Sequence, residues 1–454
     1  MPLSSADGNG AGQARAGQAR VVEGQPGRRD AALDRRIAAL AIPALGAIAA
    51  EPAYNLADTA IVGHLGRVPL ASLAIATTAL MLASWAAIFL STATTSSVAS
   101  LGAGRDHSKA ARAAGAAYLV AVIGGAVVAL LIFVVAPWLA HLLGAQHDVL
   151  AGSVSYLRIS AAGLPFLYVS FAGNGHLVGL ADTRTPLRIA VGANVANVAL
   201  EAALVYGARW GLNGSAWGTV LAQVAAAACY AAASRRREIR LAMPRRHEIT
   251  TLLHAGHQLS VRTIALGVVP LTTTAIAARL GPVALGGQQI AMRVWYLLAI
   301  LLDALAVPAQ VYVSSALGAG DAAAARQVGR RSLWLGLIAG IGLAVITAVM
   351  APFVPAVFTH DAAIRSAAIM ALLVSALTQP IGALAFVLDG LILGISDYAA
   401  MRRAMILAIF AYAPMAALVL AFHRLGLPGI WVAIGLWLAA RAVLLGRRWA
   451  RALG

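Results

Sequence analysis

The sequence predicts an all-α polytopic membrane protein: twelve transmembrane helices in two six-helix lobes related by a parallel internal repeat. Three observations carry the prediction. The 454 residues are 61% hydrophobic and 11% charged, with a mean hydropathy of +0.81, whereas a soluble domain is about half apolar and a quarter charged. Apolar stretches of about 20 residues, the length that crosses a bilayer, fill nearly the whole chain. The two halves also match each other at a fixed offset.

Taken in order, the spans fall near 37–63, 69–100, 110–140, 149–181, 187–207, 213–233, 251–278, 284–316, 324–357, 363–394, 400–422 and 428–446. Residues 1–34 precede them as a Gly/Ala/Arg/Gln-rich tail containing AGQAR twice. The tail lacks the apolar core of a signal peptide and reads as a disordered cytoplasmic extension. The first lobe then covers 35–233, a basic cytoplasmic linker 234–248, the second lobe 249–446, and a basic cytoplasmic tail 447–454. With the N-terminus inside, sixteen Lys and Arg residues fall in cytoplasmic loops. Five fall outside: Arg67, Arg209, Arg279, Arg365 and Arg424. This is the positive-inside pattern with both termini cytoplasmic.

The net charge of +17 therefore serves topology, and no nucleic-acid partner is expected. Lys109 is the only lysine and follows Ser108, so no Gly-Lys-Ser/Thr phosphate loop exists. Transport by this chain alone draws on an ion gradient and needs no cofactor. The single cysteine, Cys229, excludes an internal disulfide and is expected to pack within its helix.

The repeat is explicit. HLGRVPLASLAI at 64–75 matches RLGPVALGGQQI at 279–290, and GLAD at 179–182 matches GISD at 394–397, both shifted by 215. LGAG recurs at 101 and 317. An even number of spans per unit gives the copies one orientation, hence a parallel repeat about an axis along the membrane normal. Two like lobes around a central cavity suit alternating access.

Five carboxylates fall inside spans: Glu51, Asp58, Glu201, Asp303 and Asp389. Each costs about 2.5–3.5 kcal/mol at mid-bilayer unless compensated, so each is a functional candidate. Glu51, Asn55 and Asp58 stand at i, i+4 and i+7 and share a face of the first span; Asn194, Asn197 and Glu201 share a face of the fifth. Loop counting puts Asp58 and Glu201 in the outer half of the bilayer, where they can meet. Their equivalents in the second half are uncharged, Asp58 mapping to Thr273, Asn197 to Tyr412 and Glu201 to Ala416. The cluster thus marks a specialised site in the first lobe. Two neighbouring carboxylates in a low dielectric suit a reversible proton carrier. The same oxygens, with Asn197 and Thr219, could instead coordinate a hard monovalent cation. Pro52 weakens the first helix six residues before Asp58 and prepares it to bend. In the second half, Asp303 and Asp389 are secondary candidates, expected to pair with Arg262 and Arg293 and tie helices together. No spacing suggests a metal site.

NLADTAIVGHLG (55–66), GLADTRTPLRIAVGANVANVALE (179–201) and LDGLILGISD (388–397) resemble the multidrug and toxic compound extrusion (MATE) family, in the branch named for DNA-damage-inducible protein F (DinF). The resemblance covers roughly residues 35–446. It implies ion coupling at Asp58, with Asn197, Glu201 and Thr219, and a helix-bending role for Pro43 beside Pro52. It also implies cavity roles for Tyr156 and Asn174, near Asn194 and Asn55. Similar members carry Asp where this chain has Glu201, and Arg262 occupies the region of an acid found in the sodium-coupled branch. The resemblance therefore implies a proton-coupled multidrug antiporter. The expectation is a monomer in the inner (plasma) membrane of a bacterium, exporting amphipathic cationic organic compounds. Sodium coupling and a lipid-linked precursor flippase are the alternatives. An enzyme is not expected, because no nucleophile or metal motif accompanies the acids.

Overall fold

The computed structural model describes residues 26–453 except 105, 238 and 240, and omits the side chains of 26–30 and 49–56. Glu51, Pro52 and Asn55 lie outside the described residues, as do residues 1–25 of the tail.

The first lobe comprises α1 (Pro26–Gly63), α2 (Arg67–Ala103), α3 (His107–Leu142), α4 (His147–Ala161), α5 (Leu164–Gly179), α6 (Arg184–Ala202) and α7 (Gly211–Arg235). The second comprises α8 (Arg246–Arg279), α9 (Pro282–Gly318), α10 (Ala322–Met350), the short α11 (Val354–Phe358), α12 (Ala362–Gly394), α13 (Tyr398–Ala421) and α14 (Gly426–Leu453). Among the described residues ten helices are long and apolar enough to cross a bilayer, or eleven when α4 and α5 count as one span bent by 49°. With α1 the total is twelve.

Several boundaries differ from the sequence reading. α1 begins at Pro26, inside the stretch expected to be disordered; Arg35 and Arg36 are exposed on it and Asp34 pairs with Arg331 of the second lobe. The linker shortens to 236–245, since α7 continues through Arg235 and α8 begins at Arg246. The span read as 149–181 breaks between α4 and α5, where Pro165 at the start of α5 cannot continue the helix before it. Cys229 is exposed on α7 instead of packed.

The duplication governs the backbone as well as the sequence. Left-handed φ values recur 215 residues apart at Gly66 (116°) and Gly281 (108°), Ala181 (59°) and Ser396 (57°), and Gly211 (54°) and Gly426 (50°). Ala181 and Ser396 adopt this conformation despite a side chain, so the turn geometry after α5 and α12 was copied entire. Helix starts repeat too. Asp106 accepts from the Lys109 amide at 3.0 Å and Asp321 from that of Ala324 at 2.8 Å, each satisfying an orphan donor. The same helices pair within each lobe, α1 with α6 as α8 with α13, and α6 with α7 as α13 with α14.

Among the described residues three large apolar cores, and a small fourth around Leu40, Val178 and Val311, hold the bundle. One belongs to the first lobe around Leu73, Leu157 and Ala216, and one to the second around Leu372, Trp431 and Trp437. The third joins both lobes through Leu90, Leu259, Val313 and Leu391, toward the end where α1 begins and α14 stops, the tail end. Polar contacts between lobes follow the third core. Gln310 donates to the Thr92 carbonyl and the Ser96 hydroxyl, both at 2.8 Å, and Ser96 donates to the Leu393 carbonyl at 2.8 Å. Arg331 pairs with Asp34, and Arg112 with Glu248. The two LGAG copies meet there: a Cβ on Gly318 would lie 1.9 Å from the Ser100 carbonyl oxygen, and one on Gly104 would lie 2.7 Å from the Gly318 carbonyl oxygen. Among the described residues the polar contacts between the lobes thus gather at the tail end.

Acid weakens these contacts. The Arg331 guanidinium hydrogen-bonded to Asp34 holds that carboxyl below its ordinary range, and Arg112 does the same for Glu248. Within the first lobe, at the start of α3, Lys109 likewise draws Asp106 down to about 2. A lowered folded pKa means that the fold favours the ionised form. The contribution is full above the unfolded carboxylate pKa of about 4 and is lost as pH falls through the folded values. Melting in detergent is expected to occur at lower temperature from pH 4 downward, and Asp34→Asn to flatten that dependence.

Candidate functional site

The first-lobe cluster forms where α1, α6 and α7 converge. Asp58, Asn197 and Glu201 are buried, with Glu201 fully excluded from solvent. Ser215 on α7 joins the two acids, donating to Asp58 Oδ1 at 2.8 Å and lying 3.2 Å from Glu201 Oε1; Thr219 stands 3.4 Å from the same Glu201 oxygen. Tyr156 is buried beside them, its hydroxyl among Ser215, Thr219 and the two carboxylates. The Asn197 Oδ1 is buried without a hydrogen-bond partner.

Small residues and a local backbone departure make the site possible. A Cβ on Gly218 would stand 2.9 Å from Glu201 Cγ and 3.0 Å from its backbone nitrogen, so only glycine lets α7 approach here. One residue beyond the end of α6, Ala203–Gly207 widen into a π turn, with the Ala208 amide bonding the Ala203 carbonyl at 2.8 Å. Such turns re-aim side chains and occur often at functional sites. The Tyr206 hydroxyl then reaches the Ile61 carbonyl at 2.7 Å, tying the turn to α1 just past Asp58.

The other candidates are placed as follows. Asn174 is half-buried on α5 and donates to Ser91 Oγ at 2.9 Å. Asn194 is half-buried on α6 and Pro43 half-buried within α1. At the equivalent place in the second lobe, Tyr412 and Thr272 share a 3.0 Å hydrogen bond, and Ile430 and Ile434 stand where Ser215 and Thr219 would be. The carboxylate pair is therefore particular to the first lobe.

The second lobe has its own charges. Asp389 receives Arg441 at 2.8 Å and Arg262 at 3.1 Å, both on Oδ2. Arg441 is 1% exposed and lies over the Trp437 ring at 4.6 Å. Asp303 is exposed and in electrostatic reach of all three groups without an ion pair, and Arg293 is exposed on the same helix. Arg441→Leu is expected to cost about 3 kcal/mol, because removing one partner of a buried pair strands charge. A thermal shift in detergent checks this. Among the described residues no group of His, Cys, Asp and Glu could hold a metal ion.

Ser215 and Arg441 were missed in the sequence reading. A serine within a span carries no signal of its own. Arg441 did: it is an intramembrane charge found by the rule that singled out Arg262.

Two six-helix lobes, with a buried acid pair in one of them, are the arrangement of a multi-pass membrane transporter. A match to the MatE family covers residues 43–202 and 259–421. The chain belongs to the MatE family of multidrug and toxic compound extrusion transporters; it is not an enzyme. Similar proteins include Protein DETOXIFICATION 44, chloroplastic, of Arabidopsis thaliana. That relative is 32% identical over 423 residues, covering 90% of this chain and 80% of its own. DNA damage-inducible protein F of Escherichia coli K12 is 26% identical, covering 92% of each chain. Among solved structures, a MATE protein in a bent conformation superposes with a TM-score of 0.87 at 20% identity, over 93% of this chain and 95% of its own. The Vibrio cholerae MATE transporter VcmN gives 0.87 at 18% identity, over 93% and 98%. These last two establish the fold.

Proposed function

We propose that the chain is a proton-coupled antiporter that exports amphipathic, cationic organic compounds by alternating access. The observation that carries this reading is the buried Asp58–Ser215–Glu201 arrangement, in the half of the first lobe away from the tail end. A proton arriving from that side is held between two carboxylates bridged by one hydroxyl. Neutralising Asp58 removes the field that favours a cationic substrate. Substrate then leaves, the lobes rock, and the proton departs on the other side. Each ligand must bind the two states differently, or it shifts nothing. Two similar proteins from Xanthomonas, 28% and 26% identical, are called probable multidrug resistance protein NorM, which supports a drug-like cargo.

In this reading the tail end is cytoplasmic and the membrane is the bacterial inner membrane, as the arginine distribution suggests. The carrier works as a monomer, without cofactor or nucleic acid. A flippase for an anionic lipid headgroup is disfavoured, because Arg158 bonds the Phe133 carbonyl at 3.3 Å and lies over the Phe133 ring. Sodium coupling has one observation in its favour. The unpartnered Asn197 Oδ1 is an oxygen that a hard cation could take.

The test is efflux of a cationic dye from proteoliposomes under an imposed pH gradient at constant sodium. Efflux driven by the pH gradient supports the proposal. Efflux that ignores pH and follows a sodium gradient overturns the proton assignment, and no efflux in either gradient overturns antiport.

A further inference from the structure

The tail end carries two exchanged ion pairs. Asp34 on the first helix of one lobe reaches Arg331 on the third helix of the other, and Glu248 at the start of α8 reaches Arg112 on α3. The acids stand 214 residues apart and the arginines 219, each close to the offset of the repeat. Duplication alone would make the two contacts equivalent. Their surroundings differ.

Around Glu248 the linker is fastened to the first lobe. Arg237 bonds Asp182 and reaches Thr185 Oγ1 at 3.0 Å, where α5 turns into α6. Ile239 is buried, its Cδ1 3.0 Å from where a Cβ on Gly102 of α2 would be. The Ala242 amide donates to the Ala111 carbonyl of α3 at 3.2 Å, and the Ala242 carbonyl oxygen lies 1.9 Å from the Cβ position of Gly115. Glu248 ends the run, taking Arg112 at 2.8 Å on one oxygen and the Arg245 amide at 2.9 Å on the other. About two turns further along α8, the Phe89 ring of α2 lies 2.8 Å from the Cβ position of Gly256. A helix of the second lobe thus begins clamped to the first.

The α1 side lacks such a clamp. At Leu40 α1 still belongs to its own lobe, since the Leu40 carbonyl accepts from Thr183 at 3.2 Å. Nearer its start it meets the second lobe through the Asp34–Arg331 pair and the Tyr312 hydroxyl, which donates to the Arg36 carbonyl at 3.2 Å. The Arg36 guanidinium lies over the Tyr312 ring at 5.3 Å. Asp34, Arg331 and Tyr312 are half-buried and Arg36 is exposed, so water competes for these contacts. No linker backs them.

We propose that the tail end opens on one side only: the contacts of α1 with α9 and α10 are a latch, and the clamped linker with the start of α8 is the hinge about which the second lobe turns. Turning separates Asp34 from Arg331 while Glu248 keeps Arg112. The latch contacts then exist in one state and not the other, the differential interaction that a two-state element requires. The device rests on the alternating-access reading, but neither on the driving ion nor on the cargo.

The test places nitroxide labels on two pairs of exposed positions in a Cys229→Ala background. Arg35→Cys with Arg330→Cys spans the latch, and Ser108→Cys with His247→Cys spans the hinge. Pulsed dipolar distances are recorded in lipid, beside dye efflux by the same proteins. The latch pair is expected to show two distances and the hinge pair one. Arg331→Gln should raise the share of the longer latch distance about fivefold, the upper end for a partly exposed ion pair. Exchanging the charges, Asp34→Arg with Arg331→Asp, should return that share toward the wild-type value. Two distances across the hinge overturn the proposal, as does an Arg331→Gln protein with the wild-type share. Efflux with a single latch distance overturns the latch and leaves alternating access standing. Two latch distances with one hinge distance, but no efflux in either gradient, support the device and overturn antiport. Single distances in both pairs without efflux overturn alternating access and the device together.

Discussion

Asp58→Asn is expected to bind cationic dye as the wild type does and to lose gradient-driven efflux, a drop on the order of 10- to 100-fold, the usual size of a coupling interaction. The reason is local. Asn can still meet Ser215, so the 2.8 Å contact that positions α7 survives and the lobe folds. What disappears is the charge that a proton cancels. The measurement is proteoliposome efflux under a pH gradient beside equilibrium dye binding in detergent. An Asp58→Asn protein that still responds to the gradient makes Asp58 structural. Glu201→Gln separates the two acids further. If Glu201 only tunes its neighbour, that variant keeps coupled efflux with a displaced pH profile.

The second large effect belongs to Gly318→Leu, which is expected to abolish efflux while leaving each lobe intact. A side chain here must begin 1.9 Å from the Ser100 carbonyl oxygen, a backbone atom in the last turn of α2 held by the Gly104 amide at 3.0 Å. Neither partner can turn aside, so the contact separates and the tail end stays apart. Dye is bound from the tail side and not released on the other. Maleimide labelling of Ser100→Cys in a Cys229→Ala background reads this out. Labelling from the tail side should rise in the Gly318→Leu protein, and unchanged labelling would show that the lobes close without this contact. Gly318→Ala should give a weaker form of the same defect.

The fold was legible because it rests on two periodicities that side-chain detail does not alter: bilayer-length apolar stretches and the 215-residue offset. The bend between α4 and α5 was not, because Gly163 and Pro165 lie inside an apolar run that composition reads as continuous. In the site, Asp58 and Glu201 could be brought together from helical spacing and loop count alone, since an acid within a span is rare and costly. Their geometry could not. Ser215 bridges them, Gly218 lets α7 close on Glu201, and a π turn follows one residue later. None of these carries a compositional signal. Of the acids in the second half, Asp389 was found but assigned a single set of partners on α8 and α9, whereas its shorter bond goes to Arg441 on α14.

The meeting of the two LGAG copies has a further meaning. Related surfaces touching across an axis have the arrangement of an isologous dimer interface, here enclosed in one chain. Identical subunits cannot differ, so a true dimer of six-helix units would carry its acid pair twice or not at all. Fusion removes that constraint. One half could keep Asp58 and Glu201 while the other came to hold Thr273 and Ala416, and the number of titrating sites per carrier is no longer tied to the number of halves.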